Sequence, residues 1–418
     1  MTLIQERILI KFPSYLIALL PLSLISGPFL SDLSIILIGI FFVVNIILKK
    51  EYYFLKNKFI IIFLIFSFYL FLNSLIKYYD IHSIRSSLGY LRFGLFSLGV
   101  FYFLEKKKEI INWLFIIFLI CFLLLILDGF YQYFNKVSFF LRNEPQVGGR
   151  ISSLFGSELI MGSYLSRLFP IFLGITFFLF KEKKEILLII STIFILIEVL
   201  IFLSGERASF FFNTLAAIYI IIMIKDFKKI RLFSFLTSIV LIFFITNIDN
   251  TAKKRIVDET IFQMGLNDEK KYIFSPVHQS HYLSAYKMFL DNKVLGIGVR
   301  NFRNFCNEDK YKVAERSCTT HPHNTYVQLL SETGLIGFIF FVSIFIFFII
   351  ISLKHLLGVI TKNKYYFNDF EICMLSAILI SLWPFVPTGN FLNNWVSIVY
   401  YYPVGFLLWS LNKRAIIT

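Results

Sequence analysis

The chain has 418 residues, of which 57% are hydrophobic and only 16% charged, with a formal net charge of +15. Soluble domains carry roughly a quarter charged residues, so an ordinary soluble enzyme is excluded. A nucleic-acid binder is excluded too, because the 41 Lys and Arg residues fall in short clusters between apolar runs, the positive-inside pattern of a polytopic membrane protein.

Arg7 and Lys11 precede the first apolar run. No small-residue cleavage site follows and a second span comes at once, so this run is expected to be a retained helix and not a signal peptide. Runs long enough to cross a bilayer are predicted at 13–29, 33–48, 59–76, 87–104, 110–130, 158–180, 186–203, 208–224, 232–247, 326–353, 370–388 and 393–411. Gly27 and Pro28 break what is otherwise one run. The expected fold is an all-α polytopic integral membrane protein of about twelve transmembrane helices. Residues 1–247 carry nine spans, 248–325 form one large loop, and 326–418 carry the last three.

Orientation follows from the basic residues. With the N-terminus inside, the cytoplasmic segments hold Arg7 and Lys11 and the clusters Lys49–Lys58, Lys106–Lys108, Lys181–Lys184, Lys225–Arg231, Lys354–Lys364 and Lys413–Arg414. The short outside loops hold only Lys77, Arg85, Lys136, Arg142, Arg150 and Arg207. Both termini are therefore expected in the cytoplasm, with the 248–325 loop outside, since long loops translocate regardless of charge. A basic loop there suggests an anionic partner. Its weak apolar patterning predicts a few amphipathic helices over the membrane face.

Ionisable residues within spans are costly and commonly functional. Arg92, Asp128, Arg167 and Glu198 are such residues. They gather towards the outer side, where Arg150 and Arg207 also lie. The ordinary alternative is interhelical pairing, for example of Asp128 with Arg92. Arg207 sits in the tight turn Leu203-Ser204-Gly205-Glu206-Arg207-Ala208-Ser209. A guanidinium held there presents a planar fork suited to phosphate oxygens. Its alternative partners are Glu206 or a lipid head group, but neighbours on a tight turn point apart.

Of the four cysteines, Cys121 and Cys373 lie in apolar runs as packing residues. Cys306 and Cys318, twelve residues apart in a loop assigned to the oxidising side, are expected to pair. Cys318 opens the stretch Cys318-Thr319-Thr320-His321-Pro322-His323-Asn324-Thr325-Tyr326, which leads to Ser331-Glu332-Thr333-Gly334-Leu335-Ile336-Gly337. Pro322 favours a helix starting soon after it, with His323 and Asn324 in its first turn and the tenth span continuing from it. A helix N-terminus attracts anions, and a histidine there exchanges protons near neutral pH. Gly334 and Gly337 are expected to let a neighbouring helix approach closely. The bland alternative for His323 is a solvated surface side chain.

Together these residues resemble the O-antigen ligase and O-antigen polymerase superfamily. The ligase signature is His, then Asn, Ser or Gln, nine residues, then Gly-x-x-Gly; His323, Asn324, Gly334 and Gly337 match it. Gly296-Ile297-Gly298 with Asn301-Phe302, Ser204 to Arg207, and Arg150-Ile151-Ser152-Ser153-Leu154-Phe155-Gly156 leading to Gly162-Ser163-Tyr164-Leu165 also look familial. In the family an arginine often precedes an aromatic-x-x-Ala-x-x-Met-Phe segment. Tyr282, Ala285, Met288 and Phe289 fit that segment, but His278 stands where the arginine is usual. A second phosphate contact then falls to Arg300 or Arg303.

The resemblance implies a metal-independent, cofactor-free glycosyltransferase on the periplasmic side of the bacterial inner membrane. Its donor is a glycan on undecaprenyl diphosphate and its acceptor is lipid A–core or a growing glycan, with the bilayer itself as a partner. His323 and Arg207 are the implied catalytic pair; Arg92, Arg150, Arg300, Arg303, His278 and Asn324 are the implied diphosphate and glycan contacts. Ligase is preferred over polymerase, and a protein-glycosylating ligase comes third. No nucleotide loop of the Gly-x-x-x-x-Gly-Lys-Ser/Thr type is present, as suits a lipid-linked donor. A transporter or flippase also explains many spans and buried charges, but it predicts repeats and broken helices at mid-membrane, and neither is read in the sequence. A membrane scaffold leaves the intramembrane charges without a reason. For the topology, a cysteine placed at Asp268 is expected to react with a membrane-impermeant thiol reagent in intact spheroplasts. Labelling only after lysis reverses the orientation.

Overall fold

The computed structural model describes residues 7–77, 80–141, 146, 149–180, 183–248, 253–264, 273–362 and 365–417. Asp268, Arg142, Lys181 and Lys364, used above for topology, lie outside the described residues. The regular elements are helical. In chain order they are α1 Phe12–Ile25, α2 Pro28–Lys49, α3 Lys58–Ile76, α4 Ile81–Gly89, α5 Leu91–Lys106, α6 Ile110–Asn135, α7 Met161–Phe180, α8 Lys184–Ser204, α9 Arg207–Met223 and α10 Lys228–Ile248. After these come α11 Glu259–Gln263, α12 Pro276–Asp291, α13 Phe302–Phe305, α14 Thr325–Thr361, α15 Asp369–Ser381 and α16 Asn394–Ile417. This is an all-α polytopic membrane protein.

Among the described residues, nine helices are long and apolar enough to cross a bilayer, against about twelve expected. The difference lies in α9, α15 and α16. The first has 17 residues and the second only 13. The predicted span 370–388 is thus a correction: its helix stops at Ser381, and residues 382–393 form a largely non-helical segment. Gly27 breaks the first run with φ 115°, and Pro28 starts α2, because glycine tolerates that backbone and proline suits a first helical turn.

Two helices are enclosed on every side. In α15 each residue from Phe370 to Ser381 is buried, and in α7 every residue from Met161 to Phe177 except Ser163 is buried. A helix buried all round belongs to the interior of the bundle. By contrast α10 exposes Phe233, Phe243 and Phe244, and α14 exposes Ile339, Ile346 and Phe347, as lipid-facing helices do.

Two corrections bear on the site. First, α14 is not one straight helix. Gly334 has φ 65° and ψ −163°, so the chain kinks between a short leading segment and the long span after it. Second, the 248–325 loop has a small core of its own and is tied to the bundle. Its helices α12 and α13 enclose a small core of Ala285, Met288, Ile297, Phe302, Cys306 and Tyr311. Backbone ties fix it to the bundle. Asn73 of α3 donates to the Leu295 carbonyl at 2.6 Å and accepts from Val299 N at 3.2 Å, and Ser83 of α4 donates to the Val299 carbonyl at 2.7 Å.

Candidate functional site

The loop meets α14 in a backbone crossing. Ile297 N donates to the Ser331 carbonyl, Gly298 N to Glu332 O and Leu335 N to Lys293 O, at 2.8–2.9 Å. A β-carbon on Gly334 would stand 2.3 Å from the Val294 carbonyl oxygen, and one on Gly296 would stand 2.5 Å from the Glu332 carbonyl carbon. Gly296 also has φ 68°, so both positions demand a residue without a side chain. The signature glycine Gly334 therefore serves a loop crossing and a kink, not the approach of a neighbouring transmembrane helix.

Glu332 locks this crossing. Its carboxylate is buried and accepts from Arg300 N at 2.9 Å, Phe302 N at 3.2 Å and Gln328 Nε2 at 3.1 Å. Gln328 in turn contacts Asn390 and Phe391 N, which ties the 382–393 segment to the same point. Sequence reasoning passed over Glu332, although the rule that singled out Arg167 and Glu198 applies equally to a carboxylate inside the 326–353 span.

His321 and His323 precede α14 and do not lie in its first turn. Asn324 is the N-cap and accepts from Tyr326 N at 2.9 Å and Val327 N at 3.1 Å, while its amide donates to the Pro384 carbonyl. The Asn324 side chain, expected at the substrate, is thus engaged in holding the helix start. Thr388 N donates to the His323 carbonyl at 2.9 Å. His323 itself has φ 57°, a left-handed conformation that non-glycine residues hold only when their surroundings enforce it. The backbone between His321 and His323 is not helical. Their ring centroids are 4.2 Å apart.

Two further histidines come from α12. Ser275 caps that helix and shares a 2.8 Å hydrogen bond with His278 Nδ1. His278 and His281, three residues apart, lie on one helix face. Their ring centroids are 5.7 Å and 5.4 Å from that of His323. His281 was missed in the sequence, where its spacing from His278 was the available signal. Burial, helped by His323, His281 and Arg207, pushes His278 down to about 4. Burial, with His323 and Arg303 contributing, pushes His321 down to about 3. Burial and then His281 lower His323 as well. Desolvation disfavours the charged imidazole, which holds all three rings in the neutral form. Among the described residues, no group of three or more His, Cys, Asp or Glu is arranged to hold a metal ion.

Arg207 begins α9. Gly205 closes α8 with φ 70°. Glu206 turns away to accept from Gly162 N at 2.7 Å, Ser163 N at 3.0 Å and Ser209 Oγ at 3.0 Å. Arg150 braces the same turn by donating to the Ser204 carbonyl. The Arg207 guanidinium donates to Thr260 Oγ1 at 3.3 Å and Gln263 Oε1 at 2.9 Å, beside His278. Arg207 thus approaches the histidines at His278, and Arg303 approaches them at His321.

Arg300 and Arg303 line a cavity of about 880 Å³ together with Arg167 and His321. A second cavity of about 350 Å³ adjoins it at Arg300, Leu392 and Asn393 and carries Arg85 and Arg92. Arg92 pairs with Asp32 at 3.1 Å, not with Asp128. Asp128 instead accepts from Ser138 Oγ, Ser153 Oγ and the amides of Phe139 and Phe140, fixing the segment after α6. Cys306 and Cys318 are bonded to each other, with Cα atoms 4.9 Å apart, and pin the segment that leads to His321.

Residues 190–342 match a family model described as O-antigen ligase. No curated protein matches the chain. The matched segment runs from α8 through Arg207, the four histidines, Arg300, Arg303 and Glu332 to just beyond the Gly334 kink. Arg85, Arg92, Arg150 and Arg167 lie before it. The crossing makes its own forecast: Glu332→Ala leaves the amides of Arg300 and Phe302 without their acceptor. A loss of about 1–3 kcal/mol is expected, read as a lower melting temperature of detergent-purified protein. Unchanged melting excludes Glu332 as the lock of the crossing.

Proposed function

We propose that the chain is a glycosyltransferase whose donor is a glycan on undecaprenyl diphosphate and whose acceptor is a hydroxyl, with the ligase reaction onto lipid A–core as the first reading. The observation that carries it is the gathering of the His278, His281 and His321 rings within 5.7 Å of that of His323, with Arg207 beside His278, in a segment similar to the O-antigen ligase family. His323 takes the proton of the acceptor hydroxyl as its oxygen attacks the anomeric carbon. The bond from that carbon to the diphosphate oxygen breaks, and the lipid diphosphate leaves with the electron pair. Arg207 answers the charge that develops there, which is electrostatic stabilisation of the leaving group. His278, at the position where the family often carries an arginine, lies next to Arg207 and can donate a hydrogen bond to the same diphosphate.

Polymerisation, in which a growing glycan is the acceptor, uses the same chemistry and is the second reading. The periplasmic face of the bacterial inner membrane, with both termini in the cytoplasm, is the proposed setting; the distribution of basic residues supports it.

The test is transfer by purified protein with undecaprenyl-diphosphate-linked glycan. His323→Ala is expected to slow transfer roughly a hundredfold, as for a lost general base, with the protein still folded. His321→Ala is expected to cost less, though more than a surface histidine, because its ring packs on His323. The lowered basicity of His323 sets the sign of the pH profile: the reactive neutral form persists below its usual 6.5, so the acid limb should fall below that pH. A wild-type rate for His323→Ala, or an acid limb centred above 6.5, rejects the assignment.

Arg207 is tested in the same assay. Arg207→Ala should abolish transfer, and Arg207→Lys should impair it strongly, since an ammonium keeps the charge but not the planar fork. Near-normal transfer by the alanine variant at equal abundance removes Arg207 from the reaction.

A further inference from the structure

The histidines around His323 are held in different ways. His278 shares its Nδ1 with Ser275 and stands beside Arg207, and His321 shares its Nδ1 with Thr320 Oγ1 at 3.0 Å. His281 is only 5% exposed, and its Nδ1 is buried with no hydrogen-bond partner. A hydrogen bond with the Arg316 backbone favours the charged ring, so the ring donates and the carbonyl accepts. With Nδ1 unpartnered, the donor is Nε2. Burial, the larger influence, favours the neutral ring. A neutral imidazole protonated on one nitrogen is a bare acceptor at the other, so Nδ1 of His281 carries an unused lone pair. Buried polar atoms without partners are uncommon and costly. The Nε2 of His321 is unpartnered as well, but His321 lies two residues before His323 on the same irregular segment and cannot hold it from outside.

His281 is anchored independently of His323. The Cys306–Cys318 bond closes residues 306–318 into a loop, and this loop grips α12 at several points. Cys306 and Tyr311 pack with Ala285 and Met288 in the small core. The Lys312 carbonyl accepts from Lys287 Nζ at 3.5 Å, and the Arg316 carbonyl accepts from Ser280 Oγ at 3.4 Å as well as from the His281 ring. His323, in contrast, sits before α14 in a left-handed conformation that its surroundings must enforce. Its ring centroid is 5.4 Å from that of His281, with the planes 30° apart. A proton-accepting side chain is commonly oriented by a third group, often a carboxylate. Among the described residues, the His323 ring meets three histidine rings and forms no salt bridge with a carboxylate. The place of the third group falls to His281.

We infer that His281 is the positioning residue of the transferase site: its bare Nδ1 accepts a hydrogen bond from the His323 ring while His323 holds the proton taken from the acceptor hydroxyl. This rests on the transferase reading above. The proton balance of that reaction is unchanged, because His281 stays neutral and receives a hydrogen bond, not the proton. The disulfide loop fixes which nitrogen is bare, by accepting at Arg316 from the other. A hydrogen bond to a charged group is among the stronger ones, and it forms here only as His323 becomes charged, so its loss is expected to appear in kcat and not in KM.

The experiment compares two variants of the full-length protein in nanodiscs, with undecaprenyl-diphosphate-linked glycan as donor and lipid A–core as acceptor. His281→Phe keeps an aromatic ring against His323 but has no nitrogen. It is expected to lower kcat about tenfold to a hundredfold, with both KM values unchanged. His281→Asn places an acceptor oxygen close to where Nδ1 stood and is expected to recover kcat to within about threefold of wild type. A purely structural role for His281 predicts the opposite order, because phenylalanine fills the space better. A wild-type kcat for His281→Phe overturns the assignment while the transferase reading stands. So does an asparagine variant no faster than the phenylalanine one, or a loss confined to KM. No transfer by the wild type overturns both. Melting and elution volume establish that each variant folds. A second measurement does not depend on activity: nitrogen NMR of histidine-labelled protein, with the His281 signal identified by its absence in His281→Asn. A neutral ring protonated at Nε2 and bare at Nδ1 is expected. A proton on Nδ1 overturns the inference, and this readout decides the matter if His281→Phe does not fold.

Discussion

The crossing of the Gly296–Gly298 loop over Ser331–Leu335, closed by the buried Glu332 carboxylate, is the constraint on which the site depends. A carboxylate taken out of water must be compensated by donors, and here they are backbone amides of the segment that carries Arg300 and Arg303. The same carboxylate meets Gln328, which holds Asn390 and Phe391. One buried side chain thus registers the 248–325 loop, the leading segment of α14 and the 382–393 segment against each other. The two glycines are required because the backbones approach too closely for a β-carbon.

From that frame the electrostatics follow. The histidines converge in a partly desolvated space, where burial disfavours the imidazolium and keeps the rings neutral. Arginine resists deprotonation, so the same burial leaves the guanidinium groups charged. Neutral imidazoles thus stand beside charged guanidinium groups. The tight 204–207 turn contributes by separating two neighbours: Glu206 is consumed by the start of α7, and Arg207 is left to face α11 and His278.

Sequence and structure part company where a partner lies far along the chain. Asp128 and Arg92 are both ionisable residues within apolar runs and look like a pair. In the fold Asp128 gathers hydroxyls and amides from residues 138–153, while Arg92 turns to Asp32. Glu332 was hidden among the nine unspecified positions of the motif. The span 370–388 stops at Ser381 because the following residues are needed elsewhere: Leu382 and Pro384 carbonyls accept from Tyr326 and Asn324, and Thr388 donates to His323.

What the sequence determined by itself was the class of molecule and the cast of the site. Transfer free energy sums over a contiguous run, so the apolar helices, their breaks at Gly27 and Pro28 and the asymmetry of the basic residues are properties of local composition. The His-Asn-x9-Gly-x-x-Gly spacing, similarly local, marked His323 and Gly334. The tertiary structure alone decided that Gly334 ends one helix segment and begins another, that His278 and His281 join His321 and His323, and that Arg207 stands beside His278. Those outcomes depend on backbone crossings and buried hydrogen bonds between residues tens to hundreds of positions apart, and no local periodicity encodes which distant donor a buried carboxylate will find.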